Sequence, residues 1–292
     1  MGEDGVRRGE GRLGRAAWLA ALYGATGLCA LAVAAVFAFL LYFAAPVFVA
    51  GKAASVLSLA WRPMDGAFGI LAMAAASLAL AASAMLIALP VGIGLCCFIC
   101  GSGAPTAARL ALGLVRFMTS IPTVVYGFVS VFALTPLVQI AFRDSSGFCW
   151  LTAGLTLSLL VLPTVVLLLE GPLRLAWERT ELVAAALGLD TARTLLHVVL
   201  PLARRAVAAA AVLGFSRAVG DTLVALMLAG NAPQLPLSPL DSIRTLTAHI
   251  ALVVSTESGS RAYNSLFAAG LLLLGTATAV NLAMQFLLRK PA

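Results

Sequence analysis

The sequence predicts an all-α integral membrane protein with six transmembrane helices, and three observations carry that prediction. The 292 residues are 62% hydrophobic and only 11% charged, too little charge to cover the surface of a soluble domain of this length. Apolar runs of about 20 residues or more, the length that crosses a hydrocarbon core, recur along the chain. The roughly ten-residue alternating segments of a transmembrane barrel do not occur.

Taken in order, residues 1–16 form a polar tail carrying Arg7, Arg8, Arg12 and Arg15. Residues 17–50 are the first span, far longer than a signal-peptide core and so read as uncleaved. A short segment with Lys52, Trp61, Arg62, Pro63 and Asp65 leads to the second span, 68–99, broken near its end at Pro90 and Gly92. The third span, 111–141, is interrupted at Ile121-Pro122, and the Arg143-Asp144 turn follows it. The fourth, 150–169, contains Pro163; a polar, helix-prone stretch over 170–200 comes next. The fifth span covers 202–229. A long polar loop with Pro233, Pro236 and Pro239 fills 230–262, and the sixth span is 266–288.

Six spans put both termini on one side, and arginine and lysine decide which. The N-terminal tail, the 100–110 turn, the 170–205 stretch and the C-terminus hold most of them, whereas the opposite loops hold only Lys52, Arg62, Arg143, Arg244 and Arg261. Both termini and the 170–205 stretch are therefore expected in the cytoplasm. The net charge of +7 is a topology signal, not a nucleic-acid one, because no basic patch with interleaved aromatics occurs. Cys29, Cys96, Cys97, Cys100 and Cys149 fall in or at the edge of apolar runs and make no disulfide framework. Cys96, Cys97 and Cys100 have no His or carboxylate beside them in sequence to complete a metal site, so no cofactor is expected.

The most informative segment runs from Glu181 to Pro201. Ala184, Ala185, Ala186 and Leu187 precede Gly188, and Val198, Leu200 and Pro201 close the segment, with Gly188 and Pro201 thirteen apart. Alanines give a slim helix, glycine permits a turn, and proline suits the start of the next span. This pattern resembles the coupling motif of ABC importer permeases, which docks on a cytoplasmic ATPase. That family places a glutamate six residues before the glycine, where this chain has Leu182; Glu181 lies one position earlier, about 100° away around a helix.

The resemblance extends over about residues 60–288. Trp61-Arg62-Pro63 with Phe68-Gly69, the 88–94 stretch Ala-Leu-Pro-Val-Gly-Ile-Gly, the 121–127 stretch Ile-Pro-Thr-Val-Val-Tyr-Gly, and Leu162-Pro163-Thr164 are similar to the phosphate-specific branch. Arg217-Ala218-Val219-Gly220-Asp221-Thr222 resembles that branch's Arg-Ala-x-Gly-Glu-Thr signature, with aspartate for glutamate. The 229–247 stretch looks more like the PstC-type subunit than its PstA-type partner.

The resemblance implies a type I, MetI-like permease fold over 67–288, with the coupling segment at 178–201. It also implies a bacterial inner-membrane location and alternating access for inorganic phosphate. The expected partners are a PstA-type second permease, an ATP-binding subunit dimer and an extracytoplasmic phosphate-binding protein. The chain has no phosphate-binding Gly-x-x-x-x-Gly-Lys-Ser/Thr loop: its lysines, Lys52 and Lys290, are followed by Ala53 and Pro291. ATP hydrolysis is therefore expected in another chain. Glu181, Ala184, Ala185, Gly188, Leu200 and Pro201 are the ATPase-coupling candidates.

Arg217 and Asp221 are four apart on the expected fifth span, hence on one helical face. Each costs on the order of 2.5–3.5 kcal/mol at mid-bilayer, so neither faces lipid. With Thr222 they are the substrate-path candidates: Arg217 would meet an oxyanion through paired N–H donors, and Asp221 would hold the guanidinium. An internal ion pair that fixes helix packing is the alternative. Arg116 is expected to snorkel to headgroups and Glu170 to sit at the interface; His197 and His249 lack companions for acid–base or metal chemistry. Importers of molybdate or sulfate share this architecture. An intramembrane enzyme would need a polar cluster with nucleophile or ligand spacing, and a scaffold would need no Arg217 with Asp221.

Overall fold

The computed structural model describes residues 3–49, 57–143, 145–254 and 261–289, so Lys52, Asp144 and Lys290 lie outside the described residues. The helices are α1 (Glu3–Val49), α2 (Leu71–Gly101), α3 (Pro105–Ser120), α4 (Thr123–Ala141), α5 (Trp150–Ala186), α6 (Thr191–Leu202), α7 (Arg204–Val219), α8 (Leu223–Leu228), α9 (Leu246–Val253) and α10 (Arg261–Arg289). A two-stranded hairpin, β1 (Trp61–Arg62) and β2 (Ala67–Phe68), precedes α2, with Trp61 opposite Phe68.

The expected spans are not reproduced one for one. Trp18–Ala45 within α1, α2, α4 and α5 are each long and apolar enough to cross a membrane. The pair α6 and α7, bent by 73°, makes a fifth if counted together. In α10 the apolar stretch is Ser265–Val280.

Four expectations need correction. The third span is two helices, because Pro122 lacks an N–H and holds Ile121 extended at φ −78°, ψ 123°. The fourth does not stop near Leu169: α5 runs on to Ala186 despite Pro163 and Pro172, since fully buried Leu169 and Leu173 anchor the next turns. The fifth span breaks after Val219. The expected polar loop 230–262 contains α9, an apolar helix that returns to pack on α2, α8 and α10.

The core lies where α2, α5 and α7 meet. Val165 of α5 is its tightest point: a Cβ at Gly92 of α2 would come 2.7 Å from Val165 Cγ1, and one at Gly214 of α7 would come 3.2 Å from its Cγ2. Such approaches need residues without side chains. Helix α1 stands apart from this core and packs along α10, where Phe43 stacks on Phe267 at 4.9 Å between ring centroids.

Candidate functional site

The first site is built on the end of α5. Ala184, Ala185 and Ala186 complete the helix, and Gly188, in left-handed backbone at φ +74°, turns the chain out of it. Leu189 N–H donates to the Ala184 carbonyl at 3.0 Å and Gly188 N–H to that of Ala185 at 3.0 Å. These two bonds satisfy carbonyls that the helix end would leave open. Asp190 then starts α6, its Oδ1 accepting from Arg193 N–H at 2.7 Å. Helix α6 lies against the end of α2: a Cβ at Gly101 would meet the Leu195 and Thr191 side chains at 2.7 and 2.8 Å.

Leu200 and Pro201 sit inside the last turn of α6, and the new helix begins only at Arg204, after the bend. Pro201 therefore closes the 178–201 segment instead of opening α7. The concave side of the bend is a cavity of about 560 Å³ lined by His197, Val198, Pro201, Leu202, Arg204 and Arg205. Glu181, Ala185 and Gly188 are exposed, and Leu182, at the position of the family's glutamate, is 82% exposed.

The second site forms where two interrupted helices meet. Helix α8 packs along α4, with Met227 filling the space that a side chain at Gly127 would need. The α3–α4 interruption is tied by Tyr126, whose hydroxyl donates across it to the Met118 carbonyl at 2.9 Å. Arg217 lies in the last turn of α7, exposed and within electrostatic range of Tyr126.

The expected Arg217–Asp221 ion pair does not form. Ion pairs among the described residues join Arg174 to Glu170 at 2.6 Å and Arg193 to Asp190 at 3.6 Å. The reason is local: α7 ends at Val219, so the four-residue spacing no longer puts both side chains on one helical face. Asp221 instead caps α8, Oδ2 accepting from Val224 N–H at 2.9 Å. Thr222 is half-buried at the start of α8. The break is stitched to α9 by Thr247 Oγ1, which donates to the Asp221 carbonyl at 2.8 Å.

Sequence reasoning missed that α9 belongs to this site. Beyond α8 the chain turns through Gly230 (φ +80°) and Asn231 (φ +62°), reaches outward, and returns at Ile243, whose N–H donates to the Ala229 carbonyl at 2.7 Å. The Gly230-Asn231 dipeptide was the available signal, since both residue types accept left-handed backbone. The excursion also caps α5: Trp150 N–H donates to the Asp241 carbonyl at 2.9 Å and Leu151 N–H to that of Pro239 at 2.7 Å.

His249 of α9 is fully buried and meets Trp61 edge-on at 4.4 Å. Its Nε2 is 3.4 Å from Ser265 Oγ, and its Nδ1 has no hydrogen-bond partner among the described residues. Burial, and then the Arg244 charge, push its pKa down to about 4. Arg116 and His197 are exposed, and no metal-binding cluster of His, Cys, Asp or Glu occurs among the described residues.

Known proteins share the sequence pattern and the fold of this chain. The family of binding-protein-dependent transport system inner membrane components matches residues 93–291. A probable ABC transporter permease protein, YqgH of Bacillus subtilis (strain 168), is 31% identical over 220 residues, 74% of this chain and 71% of that one. The phosphate transport system permease protein PstC of Mycobacterium leprae (strain TN) is 29% identical over 238 residues, 74% of this chain and 73% of its own. An inward-facing structure of the MetNI methionine ABC transporter superposes with a TM-score of 0.56 at 16% identity, over 76% of this chain and 93% of that chain.

Proposed function

We propose a substrate and a path for a chain that belongs to the family of binding-protein-dependent transport system inner membrane components, and is thus a permease subunit of an ABC importer. The substrate is inorganic phosphate. The reading rests on one observation above others: Arg217 sits beside two helix interruptions that pack together, the arrangement in which transporters expose backbone and charge to a solute. The PstC relatives, which cover about three quarters of this chain, agree with the anion.

Arg217 meets the anion, Thr222 offers a hydroxyl beside it, and Asp221 keeps α8 in register while holding the empty path nearer neutrality. Residues 178–201 carry the motion of a partner ATPase: Glu181, Ala184, Ala185, Gly188, Leu200 and Pro201 form the docking segment. ATP is hydrolysed by that partner dimer, a PstA-type permease completes the path, and an extracytoplasmic binding protein delivers phosphate. Both termini face the cytoplasm.

The test is ATP-dependent phosphate uptake into vesicles holding the assembled transporter, wild type against Arg217→Gln. Loss of uptake by at least tenfold with assembly intact supports the path. Normal uptake in the variant makes Arg217 a packing residue. A wild-type transporter that moves sulfate or molybdate in place of phosphate removes the substrate.

A further inference from the structure

We infer that Arg244 and Asn231 form a second, outer subsite on the same path, built for an oxyanion that still carries a hydroxyl. The inference rests on the phosphate reading above and adds residues that it does not use. Arg244 is half-buried, and its Nε donates to the Asn231 carbonyl at 2.8 Å. Two carboxylates of the same region are already engaged by backbone. Asp241 Oδ2 accepts from Leu237 and Ser238 N–H at 3.1 and 2.7 Å, and Asp221 Oδ2 caps α8. Neither forms an ion pair with Arg244 among the described residues. A cation drawn partly out of water without a counter-charge is unfavourable unless an anion visits it.

Asn231 supplies the complementary group. Its Nδ2 donates to the Leu226 carbonyl at 2.7 Å, which fixes the orientation of the amide, and its Oδ1 is buried with no donor among the described residues. The acceptor belongs to the same residue whose carbonyl holds Arg244, so guanidinium donors and an idle acceptor share one neighbourhood. Phosphate at neutral pH has oxygens for the first and a P–OH for the second. Sulfate has only the oxygens, and would leave Oδ1 facing another acceptor. A site that hydrogen-bonds a substrate hydroxyl rejects analogues that lack it far better than a size filter does.

The position suits a relay. Arg244 is three residues before Thr247, at most about 11 Å of chain, and Thr247 bonds the Asp221 carbonyl at the helix break. Through Thr247 the Arg244 neighbourhood is thus joined to the helix break that follows Arg217.

The experiment is phosphate uptake by the assembled transporter in vesicles, with sulfate as competitor, for wild type, Arg244→Gln, Arg244→Lys and Asn231→Gly. Glycine keeps the left-handed turn while removing Oδ1. Arg244→Gln should raise the KM for phosphate at least tenfold with maximal rate within about threefold of wild type, and Arg244→Lys should recover most of the loss. Asn231→Gly should let sulfate compete where it does not in wild type. Wild-type KM in Arg244→Gln together with intact sulfate exclusion in Asn231→Gly overturns the subsite while phosphate transport stands. If Arg244→Gln does not assemble, Asn231→Gly decides: sulfate competition supports the subsite and exclusion overturns it. A wild-type transporter that moves no phosphate removes the function and the subsite together.

Discussion

The two ends of the molecule are finished in opposite ways. In the proposed topology the α6 end is the inner one: there Leu182, Leu187, Leu196 and Leu202 are all exposed, and the chain turns through Gly188 into open space. At the outer end the excursion after α8 folds back on itself, caps α5 with its own carbonyls and buries His249 against Trp61. One end leaves apolar side chains exposed around an open turn; the other is tied by hydrogen bonds between distant segments, although Asn231 Oδ1 and His249 Nδ1 stay unpartnered among the described residues. Rigidity follows the same division, since internal hydrogen bonds fix a conformation and an uncovered apolar surface waits for one.

Substitution should expose that asymmetry. The largest effect is expected at Gly230, where a Cβ would overlap Ser242 Oγ, come within 2.5 Å of the Phe148 carbonyl, and force left-handed backbone on a residue that resists it. Gly230→Ala should destabilise the protein by about 3 kcal/mol or more, read as a lowered thermal midpoint in detergent; an unchanged midpoint would mean the outer end is looser than described.

His249 gives the next effect. Its native pKa of about 4 lies below the unfolded value of 6.5, so the unfolded chain takes up the proton first as pH falls. Stability is full above about pH 6.5 and drains away down to about pH 4, by on the order of 3 kcal/mol. Thermal unfolding at pH 7 and 4.5 should show a steeper loss for wild type than for His249→Gln; parallel slopes would mean that the imidazole does not govern the outer end.

Gly188→Val is expected to act differently. A Cβ there meets nothing within 4 Å but is forced to φ +74°, a strain of about 1–2 kcal/mol. The chain should stay folded while ATP-dependent uptake falls at least tenfold. Uptake at the wild-type rate would separate this turn from coupling.

What could be read from the sequence follows the reach of the forces involved. Pro122 announced its interruption because proline acts on its immediate neighbours. The turn at Gly188 was legible for the same reason. Gly220 is weaker punctuation, and treating 202–229 as one helix placed Arg217 and Asp221 on a common face that does not exist. Glu170 misled in the other direction: a charge after Leu169 reads as the end of the apolar run, yet the burial of Leu173 carries α5 through it. Helix α9 was hidden because eight residues, two of them Thr247 and His249, behind three prolines look like loop. Only contacts distant in sequence, such as Leu246 N–H to Ser77 Oγ at 2.8 Å, show it joined to the bundle.

The tight contact at Val165 divides α5 as a fulcrum divides a lever. From Trp150 to Val165 is about 22 Å of helix, and from Val165 to Ala186 about 32 Å. Gly92 and Gly214 clasp the rod at that point from two sides, and Pro163, two residues away, removes one of the hydrogen bonds that stiffen it. A sideways push at the inner tip would swing the outer tip the opposite way, through about two thirds of the distance and with correspondingly greater force. On the proposed docking of an ATPase at residues 178–201, the motor works on the long arm.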